Sequence, residues 1–279
     1  MIGFLNVNKP QGMSSAQVVA LVKKLCPKGT KVGHMGTLDP MATGVLPIAI
    51  GRATRLFDLM QDKQKTYIAT FRFGYTTDTY DITGQTTAQT SNLPTAKDIN
   101  NILGQFVGKI QQLPPQYSAK MVGGVRAYDL ARKGRDVPLS PCQVQIFDIK
   151  LLKDLGQNEY QFEIVCGSGT YIRSLCRDIA QSLGSLGVMA SLVRTKTGQF
   201  DIVDAINVED LSLDKIVGVD TVITLPHIDL TQQQLKNLLD GKKVRFDMPD
   251  GKYLGYCDNM LQLVLEINAG TSADKIWLR

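Results

Sequence analysis

Apolar residues recur every three or four positions in several parts of the chain, which is the spacing of a helix that buries one face. Ser14 and Gln17 form a predicted capping box at the start of one such segment, and this helix ends before Pro27. A natural N-cap, Thr170, opens another, which Gly184 closes. Further helices are predicted over 55–60, 95–106, 126–133 and 231–240.

Other parts of the chain alternate apolar and polar residues, the period of a half-buried strand. The clearest strands are predicted at 67–75 and 160–166, and the segment 189–200 is predicted to be extended. Shorter strands are predicted at 2–8, 244–246, 253–257, 261–267 and 276–278. Residues 32–51 contain so many glycines and prolines that we predict a loop of specified backbone there.

Length and composition describe a globular protein of more than one unit. The 279 residues exceed a usual domain, and 43% hydrophobic with 20% charged residues are ordinary globular values. One helix and several short strands follow residue 225, which predicts a small β-barrel-like domain with its boundary near Leu225 and Pro226. A net charge of +5 favours a polyanionic partner.

Cysteine and histidine usage argues against a disulfide framework and against a metal site. The five cysteines are scattered without a CxxC pair, and the chain has two histidines. No nucleotide-cofactor motif is present, so no cofactor or metal is expected. The first residues lack an export signal, and no apolar run reaches membrane-spanning length, so the expected location is cytoplasmic.

The segment with the most unusual composition is 33–47, which contains Asp39 followed by Pro40. A following proline moves Asp39 toward extended geometry, and the neighbouring glycines permit tight turns. Residue types alone leave two interpretations open. Asp39 is either a capping or turn residue, which is the commoner role of an Asp-Pro pair, or a carboxylate held for chemistry.

Residues 36–44, GTLDPMATG, closely resemble the catalytic signature of the TruB family of tRNA pseudouridine synthases. The resemblance extends in the family's order to four further segments, 8–15, 65–67, 114–119 and 169–173. It covers about residues 1–200. It implies an α+β catalytic domain over 1–225, built on a mixed, mainly antiparallel sheet with flanking helices. The segment 226–279 is similar, by pattern and position, to the family's small PUA-type RNA-binding domain.

The resemblance also implies a reaction, the isomerisation of uridine to pseudouridine at position 55 in the T-loop of tRNA, with flipping of the base. Asp39 corresponds to the nucleophile, and attack at C6, attack at C1′ and removal of a sugar proton all remain open. Arg173 corresponds to the basic partner of that carboxylate. Tyr67 corresponds to the tyrosine that stacks on the base and takes part in proton transfer at C5.

Four more positions correspond to substrate-binding residues of the family. Tyr171 and Leu192 line the uracil pocket, His34 occupies the space that the flipped base leaves, and Lys9 contacts backbone or supports the active-site loop. Pattern alone gives other roles: Arg173 is an exposed helix position, Tyr67 and Leu192 belong to the core, and Lys9 is a solvated turn lysine. For Tyr171 a structural hydrogen bond is the alternative, and for His34 a satisfied structural histidine.

The segment 114–137 corresponds to the family's insertion that folds over RNA. Its basic residues Lys120, Arg126 and Arg132 are expected to contact phosphates, although such a charge run is also typical of a solvated face. The expected partner is the T-arm stem-loop of tRNA, bound by a monomer that needs no other protein and no membrane. Two alternatives remain: a related synthase that acts on another RNA, and an RNA-binding or RNA-folding factor without catalysis. A tRNA-folding role in addition to catalysis is also compatible with the sequence.

Overall fold

The computed structural model describes residues 1–60, 64–118, 121–122, 124–126, 128 and 138–278. The strands are β1 (Gly3–Lys9), β2 (Val32–His34), β3 (Thr43–Ile50), β4 (Lys65–Phe73), β5 (Tyr75–Thr77), β6 (Thr86–Gln89), β7 (Gly108–Gln112), β8 (Met121–Val122), β9 (Val125–Arg126), β10 (Cys142–Gly156), β11 (Glu159–Cys166), β12 (Gly187–Thr197), β13 (Phe200–Asp201), β14 (Ile206–Asn207), β15 (His227–Asp229), β16 (Gly251–Cys257), β17 (Met260–Asn268) and β18 (Thr271–Trp277). The helices are α1 (Ser15–Leu25), α2 (Ala96–Leu103), α3 (Ile172–Ser182), α4 (Val219–Val222) and α5 (Gln232–Leu239).

The centre of the molecule is a large mixed sheet in the order β14-β1-β3-β12-β4-β11-β10-β7, with β2 on β3 and β13 on β12. Pairing is antiparallel except between β1 and β14 and between β3 and β12. Buried side chains of α1, α2 and α3 share one core with the strands. A second core joins β1, β3 and α4 to the small C-terminal sheet. The predicted α+β class with a mixed, mainly antiparallel sheet is confirmed.

Local sequence signals placed several helix starts correctly. Ser14 accepts from the backbone N–H of Gln17, whose side chain bonds back to the cap, as the capping box predicts. Thr95 and Thr231 make the same reciprocal bonds at the starts of α2 and α5. Caps of this kind stabilise a helix by about 1 kcal/mol each. These starts therefore depend on residues that are local in the chain.

The prediction of a loop over 32–51 is wrong, because the whole of β2 and of β3 lies in this segment. β3 is buried along nearly its whole length, and Pro47 lies in its middle. β12 pairs with β3 only at Thr43 and Gly44, so Pro47 is beyond that ladder, while its carbonyl accepts from the backbone of Met35 at 2.8 Å. A proline is tolerated where the strand needs no N–H at that point.

Several other boundaries differ from the prediction. The segment 55–60 forms 3₁₀ turns, and the helix predicted over 95–106 ends at Leu103 and continues as a 3₁₀ turn. Thr170 is not an N-cap: its hydroxyl donates to the carbonyl of Gly167 at 3.0 Å, and the cap position of α3 is Tyr171. The predicted helix 126–133 begins at Arg126, which lies in β9, and 129–133 lie outside the described residues.

The C-terminal part contains a separate open sheet in the order β15-β16-β17-β18, with α5 packed on it. The predicted strand 244–246 amounts to a single bridge between Arg245 and Thr271. Since the described strands of this part do not close into a barrel, the barrel-like element of the expected fold is not confirmed. Within the described chain, no helix has the length and apolarity required to cross a membrane.

Candidate active site

The loop between β2 and β3 carries Asp39 and is tied to the start of α1. The Oγ of Ser15 donates to the carbonyl of Leu38 at 3.0 Å and accepts from its N–H at 2.9 Å. The carbonyl of Pro40 accepts from the N–H of Gly12 at 2.7 Å. These bonds fix the backbone on both sides of Asp39.

Lys9 is fully buried beneath this loop, so the interpretation as a solvated lysine is wrong. Its Nζ donates to the carbonyls of Met13 at 2.6 Å, Pro10 at 2.9 Å and Pro40 at 3.3 Å. Burial lowers the pKa of Lys9 to about 8, although the charge of Asp39 acts in the opposite direction. Lys9 therefore joins the turn after β1 to the loop that carries Asp39.

A second buried cation, Arg194 on β12, holds the same loop from another direction. Its Nε donates to the carbonyl of Val45 at 2.7 Å, and its two terminal nitrogens donate to the carbonyls of Gly36 at 3.1 Å and Thr37 at 3.4 Å. Gly44 has φ of 99°, and a Cβ there would clash with the carbonyl oxygen of Arg194. Gly44, at the start of β3, thus permits a close approach to β12.

The carboxylate of Asp39 forms an ion pair with Arg173, whose Nη2 lies 2.9 Å from Oδ2. Arg173 lies in the first turn of α3 and is only 6% exposed, so the expectation of an exposed helix position is wrong. Its remaining donors reach the carbonyls of Tyr117 at 2.9 Å and Thr79 at 3.0 Å. With four partners in three segments, the guanidinium has little freedom to turn away from Asp39.

The fourth partner of Arg173 is Asp81, a buried carboxylate that the sequence analysis missed. Its Oδ2 lies 3.6 Å from Nη1 of Arg173. Its Oδ1 accepts from the hydroxyls of Thr79 at 2.8 Å and Thr83 at 2.5 Å and from the N–H of Thr83 at 3.0 Å. The short polar run around Asp81, DTYDITG, is the only signal in the sequence that could have drawn attention to it.

Asp39 lines a cleft of about 290 Å³. The side chains that line this cleft include four others that the sequence analysis proposed for the site, namely Tyr67, Tyr171, Arg173 and Leu192. Lys65, Ser118, Met189 and Arg194 line it as well. Burial raises the pKa of both Tyr67 and Tyr171, so both hydroxyls remain protonated at neutral pH. The structure thus brings together five predicted residues from four segments of the chain around one cleft.

The remaining predicted site residues lie elsewhere. His34 is exposed at the end of β2 and does not line the cleft, and Lys9 lies below the loop. Lys120 and Arg132 are outside the described residues, and of Arg126 only the backbone in β9 is described. A larger depression of about 460 Å³ is lined by Met1, Ile2, Leu278 and the basic residues Lys31, Arg52 and Arg55 among others, and contains none of the predicted catalytic residues.

The arrangement is suited to a reaction in which an ionised carboxylate acts on a planar base bound in the cleft. Arg173 favours the charged form of Asp39 and fixes its direction, which a nucleophile or general base requires. Tyr67 and Leu192 provide apolar walls against which a planar base can pack. In the part of the chain that is described, no cluster of three or more His, Cys, Asp or Glu side chains could hold a metal ion.

Residues 23–172 match the family model described as "TruB family pseudouridylate synthase (N terminal domain)", and residues 173–220 match "tRNA pseudouridylate synthase B C-terminal domain". The chain is 43% identical over 261 residues to "tRNA pseudouridine synthase B" of Acaryochloris marina, covering 90% of this chain and 89% of that protein. It is 41% identical over 250 residues to the protein of the same name from Clostridium kluyveri, covering 88% and 86%.

Solved structures share the fold at lower identity. A chain in "Crystal Structure of a Cbf5-Nop10-Gar1 Complex" superposes with a TM-score of 0.67 at 24% identity, covering 95% of this chain and 78% of that one. A chain in "Structure of H/ACA RNP bound to a substrate RNA containing 2'-deoxyuridine" gives 0.66 at 21% identity, covering 99% and 85%. These two likenesses concern the fold alone.

Proposed function

The chain belongs to the TruB family of pseudouridylate synthases, and from this premise we propose that Asp39 is the carboxylate with which it isomerises uridine to pseudouridine in tRNA. In this reaction the C1′–N1 bond breaks and a C1′–C5 bond forms, while C5 loses a proton and N1 gains one. No atom is gained or lost overall. The enzyme is therefore an isomerase.

The observation that carries the assignment of Asp39 is its pairing with a buried arginine at the edge of a cleft. The side chain of Asp39 is 36% exposed, whereas that of Arg173 is 7% exposed. The carboxylate is thus accessible to a nucleotide, while its partner is held by the protein. Attack at C6, attack at C1′ and removal of a sugar proton are all compatible with this geometry.

Tyr67, Tyr171 and Leu192 are proposed to bind the flipped base. All three line the same cleft as Asp39, and stacking on an aromatic ring offsets part of the energy lost when a base leaves its helix. Tyr67 is also proposed to take part in the proton transfer at C5. Lys9 is proposed to support the loop rather than to contact RNA.

The substrate position is proposed to be uridine 55 in the T-loop. His34 is exposed on the edge strand β2, where it could enter the RNA loop in place of the base. Lys120, Arg126 and Arg132 of the insertion 114–137 are proposed to bind phosphates of the T-arm. The C-terminal part, 226–279, is proposed to be an RNA-binding domain of PUA type that follows a catalytic domain of residues 1–225.

The protein is proposed to act as a cytoplasmic monomer without a protein partner. The direct test is incubation of the purified chain with unmodified tRNA, without added cofactor or metal, followed by mapping of pseudouridine. We expect one modified position, 55, and the same product from a short T-arm hairpin. Product at a position outside the T-loop would support the related synthase of different specificity. A folded protein that binds tRNA without forming pseudouridine would support a non-catalytic factor.

A further inference from the structure

We infer that Arg194 is a positioning residue of this site, which fixes the loop that carries Asp39 and orients Tyr67 within the same cleft. This inference rests on the proposed function of Asp39 and Tyr67. The comparisons with other proteins assign no role to Arg194, and the alternating pattern of β12 gave no reason to select it. Asp39, in the loop between β2 and β3, and Tyr67, on β4, would thereby be held in one geometry.

The first observation is that Arg194 is fully buried and bonded to loop backbone. All three nitrogens of its guanidinium donate to carbonyls. Nη2 and Nη1 bond to Gly36 and Thr37 in the loop, and Nε bonds to Val45 in β3. These carbonyls lie on both sides of Asp39 in sequence. A planar fork with fixed donor directions therefore defines the path of the backbone around the carboxylate.

The second observation is that the charge of Arg194 is balanced by carbonyl oxygens. Within the described ranges, no carboxylate lies at ion-pair distance from its guanidinium, in contrast to Arg72 on β4, which pairs with Glu159. Burying a cation without a charged partner is costly, and an apolar side chain of similar volume is often more stable at such a place. Stability of the core is therefore a poor explanation for an arginine here.

The third observation links Arg194 to Tyr67. The two residues lie directly opposite each other in the antiparallel pair of β12 and β4, and both line the cleft. Burial raises the pKa of Tyr67, whereas the charge and hydrogen bond of Arg194 act to lower it. Arg194 therefore lies beside Tyr67 in the sheet, and its side chain reaches the main-chain carbonyls of the Asp39 loop.

Arg194 therefore connects the loop that carries the Asp39 carboxylate to the strand that carries Tyr67. Asp39 lies between β2 and β3, Tyr67 lies on β4, and β12 is the strand between β3 and β4. Small errors in the placement of reacting groups cost large factors in rate, about 100-fold for a displacement near 1 Å. Arg194 is placed to prevent such errors, without any need to touch the substrate.

The experiment compares Arg194→Lys and Arg194→Gln with the wild-type chain. Single-turnover rates of pseudouridine formation and dissociation constants for unmodified tRNA are measured at 25 °C, with circular dichroism and thermal unfolding as the test of folding. We expect the rate to fall about 10-fold for Arg194→Lys and about 100-fold for Arg194→Gln. The dissociation constant is expected to stay within about threefold, because phosphate contacts dominate RNA affinity.

Arg72→Lys and Arg72→Gln serve as matched controls. Arg72 is an arginine of the same sheet, lies near the opposite end of β4 and does not line the cleft. We expect these variants to lose stability while their single-turnover rates remain within about twofold of the wild type. A rate loss in the Arg72 variants as large as in the Arg194 variants would overturn the inference.

A double-mutant cycle with Tyr67→Phe provides a readout that a purely structural role would not change. If Arg194 acts partly through Tyr67, the rate loss of Arg194→Lys is smaller in the Tyr67→Phe background. Strict additivity of the two losses overturns the Tyr67 half of the inference. The corresponding cycle of Arg72→Lys with Tyr67→Phe should be additive.

The remaining outcomes also decide the matter. A folded Arg194 variant with the wild-type rate overturns the inference. Failure of both variants to fold overturns it too, because Arg194 would then be required for folding rather than for the placement of Asp39 and Tyr67. If the wild-type chain itself makes no pseudouridine, it is the proposed function that fails, so the two failures are distinguishable.

Discussion

Asp39 and Asp81 share one guanidinium, that of Arg173, and bind its two opposite terminal nitrogens at 2.9 Å and 3.6 Å. Asp81 is 6% exposed and is surrounded by threonine donors, whereas Asp39 is 36% exposed and lies at the cleft. The buried carboxylate therefore anchors the arginine, and the accessible carboxylate is left for the substrate. This division of roles leads to the first three predictions.

Replacement of Asp39 by asparagine is expected to abolish product while leaving the fold and tRNA binding intact. The amide preserves the shape of the side chain but cannot act as a nucleophile or as a base. We expect a loss of at least about 1,000-fold in single-turnover rate, measured by pseudouridine mapping alongside filter binding of tRNA. Asp204→Asn, an exposed position, is the control. A single-turnover rate of Asp39→Asn within about 10-fold of the wild type would overturn its assignment as the catalytic residue.

Arg173→Lys is expected to be more damaging than a conservative exchange suggests. A lysine ammonium cannot reproduce the four contacts that the guanidinium makes in fixed directions. We expect about a 100-fold slower reaction and a loss of about 3 kcal/mol in unfolding free energy, because Asp81 would remain buried with a weaker partner. Chemical denaturation and single-turnover kinetics measure the two effects. An unchanged rate would mean that the pair is a structural ion pair only.

Asp81→Asn should slow the reaction without removing the reactive carboxylate. The amide oxygen can still accept from the threonines, but the negative charge that holds Arg173 is lost. We expect a rate about 10-fold lower with little change in tRNA affinity. Asp78→Asn, in the same loop, whose carboxylate accepts from the N–H of Gln85 at 2.8 Å, is the control and should keep its rate. Equal losses in both variants would point to disruption of the loop rather than to Arg173.

Lys9 predicts a pH dependence of stability in the alkaline range. Its folded-state pKa is about 8 and its ordinary value is 10.5, so the unfolded chain binds more protons between these values. Burial of the charged ammonium destabilises the folded state. This cost is absent above about pH 10.5, where Lys9 is neutral in both states, and it is complete once the pH has fallen through 8. Relative to Lys9→Met, the unfolding free energy of the wild type should therefore rise with pH across this window, by about 1.4 kcal/mol per unit of pKa difference.

Urea unfolding of both proteins at pH 7, 8, 9 and 10 measures this effect. Other titrating groups are present in both chains, and their contribution cancels in the difference. A difference between wild type and Lys9→Met that is constant with pH would show that Lys9 keeps an ordinary pKa in the folded protein.

The insertion predicts a salt-dependent affinity for RNA. Replacing Lys120, Arg126 and Arg132 together by alanine should weaken tRNA binding and reduce the slope of log affinity against log salt by about 2 to 3, as loss of three phosphate contacts requires. Binding is measured from 50 to 300 mM salt. Replacement of three exposed lysines in and after α1, Lys23, Lys24 and Lys28, gives a comparison of equal charge change outside the segments proposed to bind RNA. An affinity and slope equal to those of the wild type would exclude phosphate contacts by the insertion.

Local signals in the sequence predicted much of the fold. The caps at Ser14 and Thr95 and the alternation around Tyr67 depend on neighbours in the chain, so they could be recognised without the structure. The β2–β3 hairpin could not, because the cost of Pro47 depends on which strand lies beside it. The long strand β10 was missed as well, since the alternation is confined to its first residues and its second half is largely exposed.

The site was predictable only where its residues occur in a recognisable string. Asp39 was selected through the segment 36–44, and Arg173 and Tyr67 followed from shorter matches. Asp81 and Arg194 were missed because a charged residue in a strand or turn is normally expected at the surface. Their burial depends on partners more than 90 residues away in sequence, Arg173 for Asp81 and the loop backbone for Arg194.

The loop around Asp39 is held by Lys9 and Arg194 through main-chain oxygens, which every amino acid supplies. Its shape therefore depends little on the side chains at its exposed positions, whereas buried Leu38 packs in the core and Gly44 must lack a side chain. An exposed position such as Thr37 can be varied in a combinatorial library with little loss of folded protein, so that selection would act on substrate preference rather than on yield.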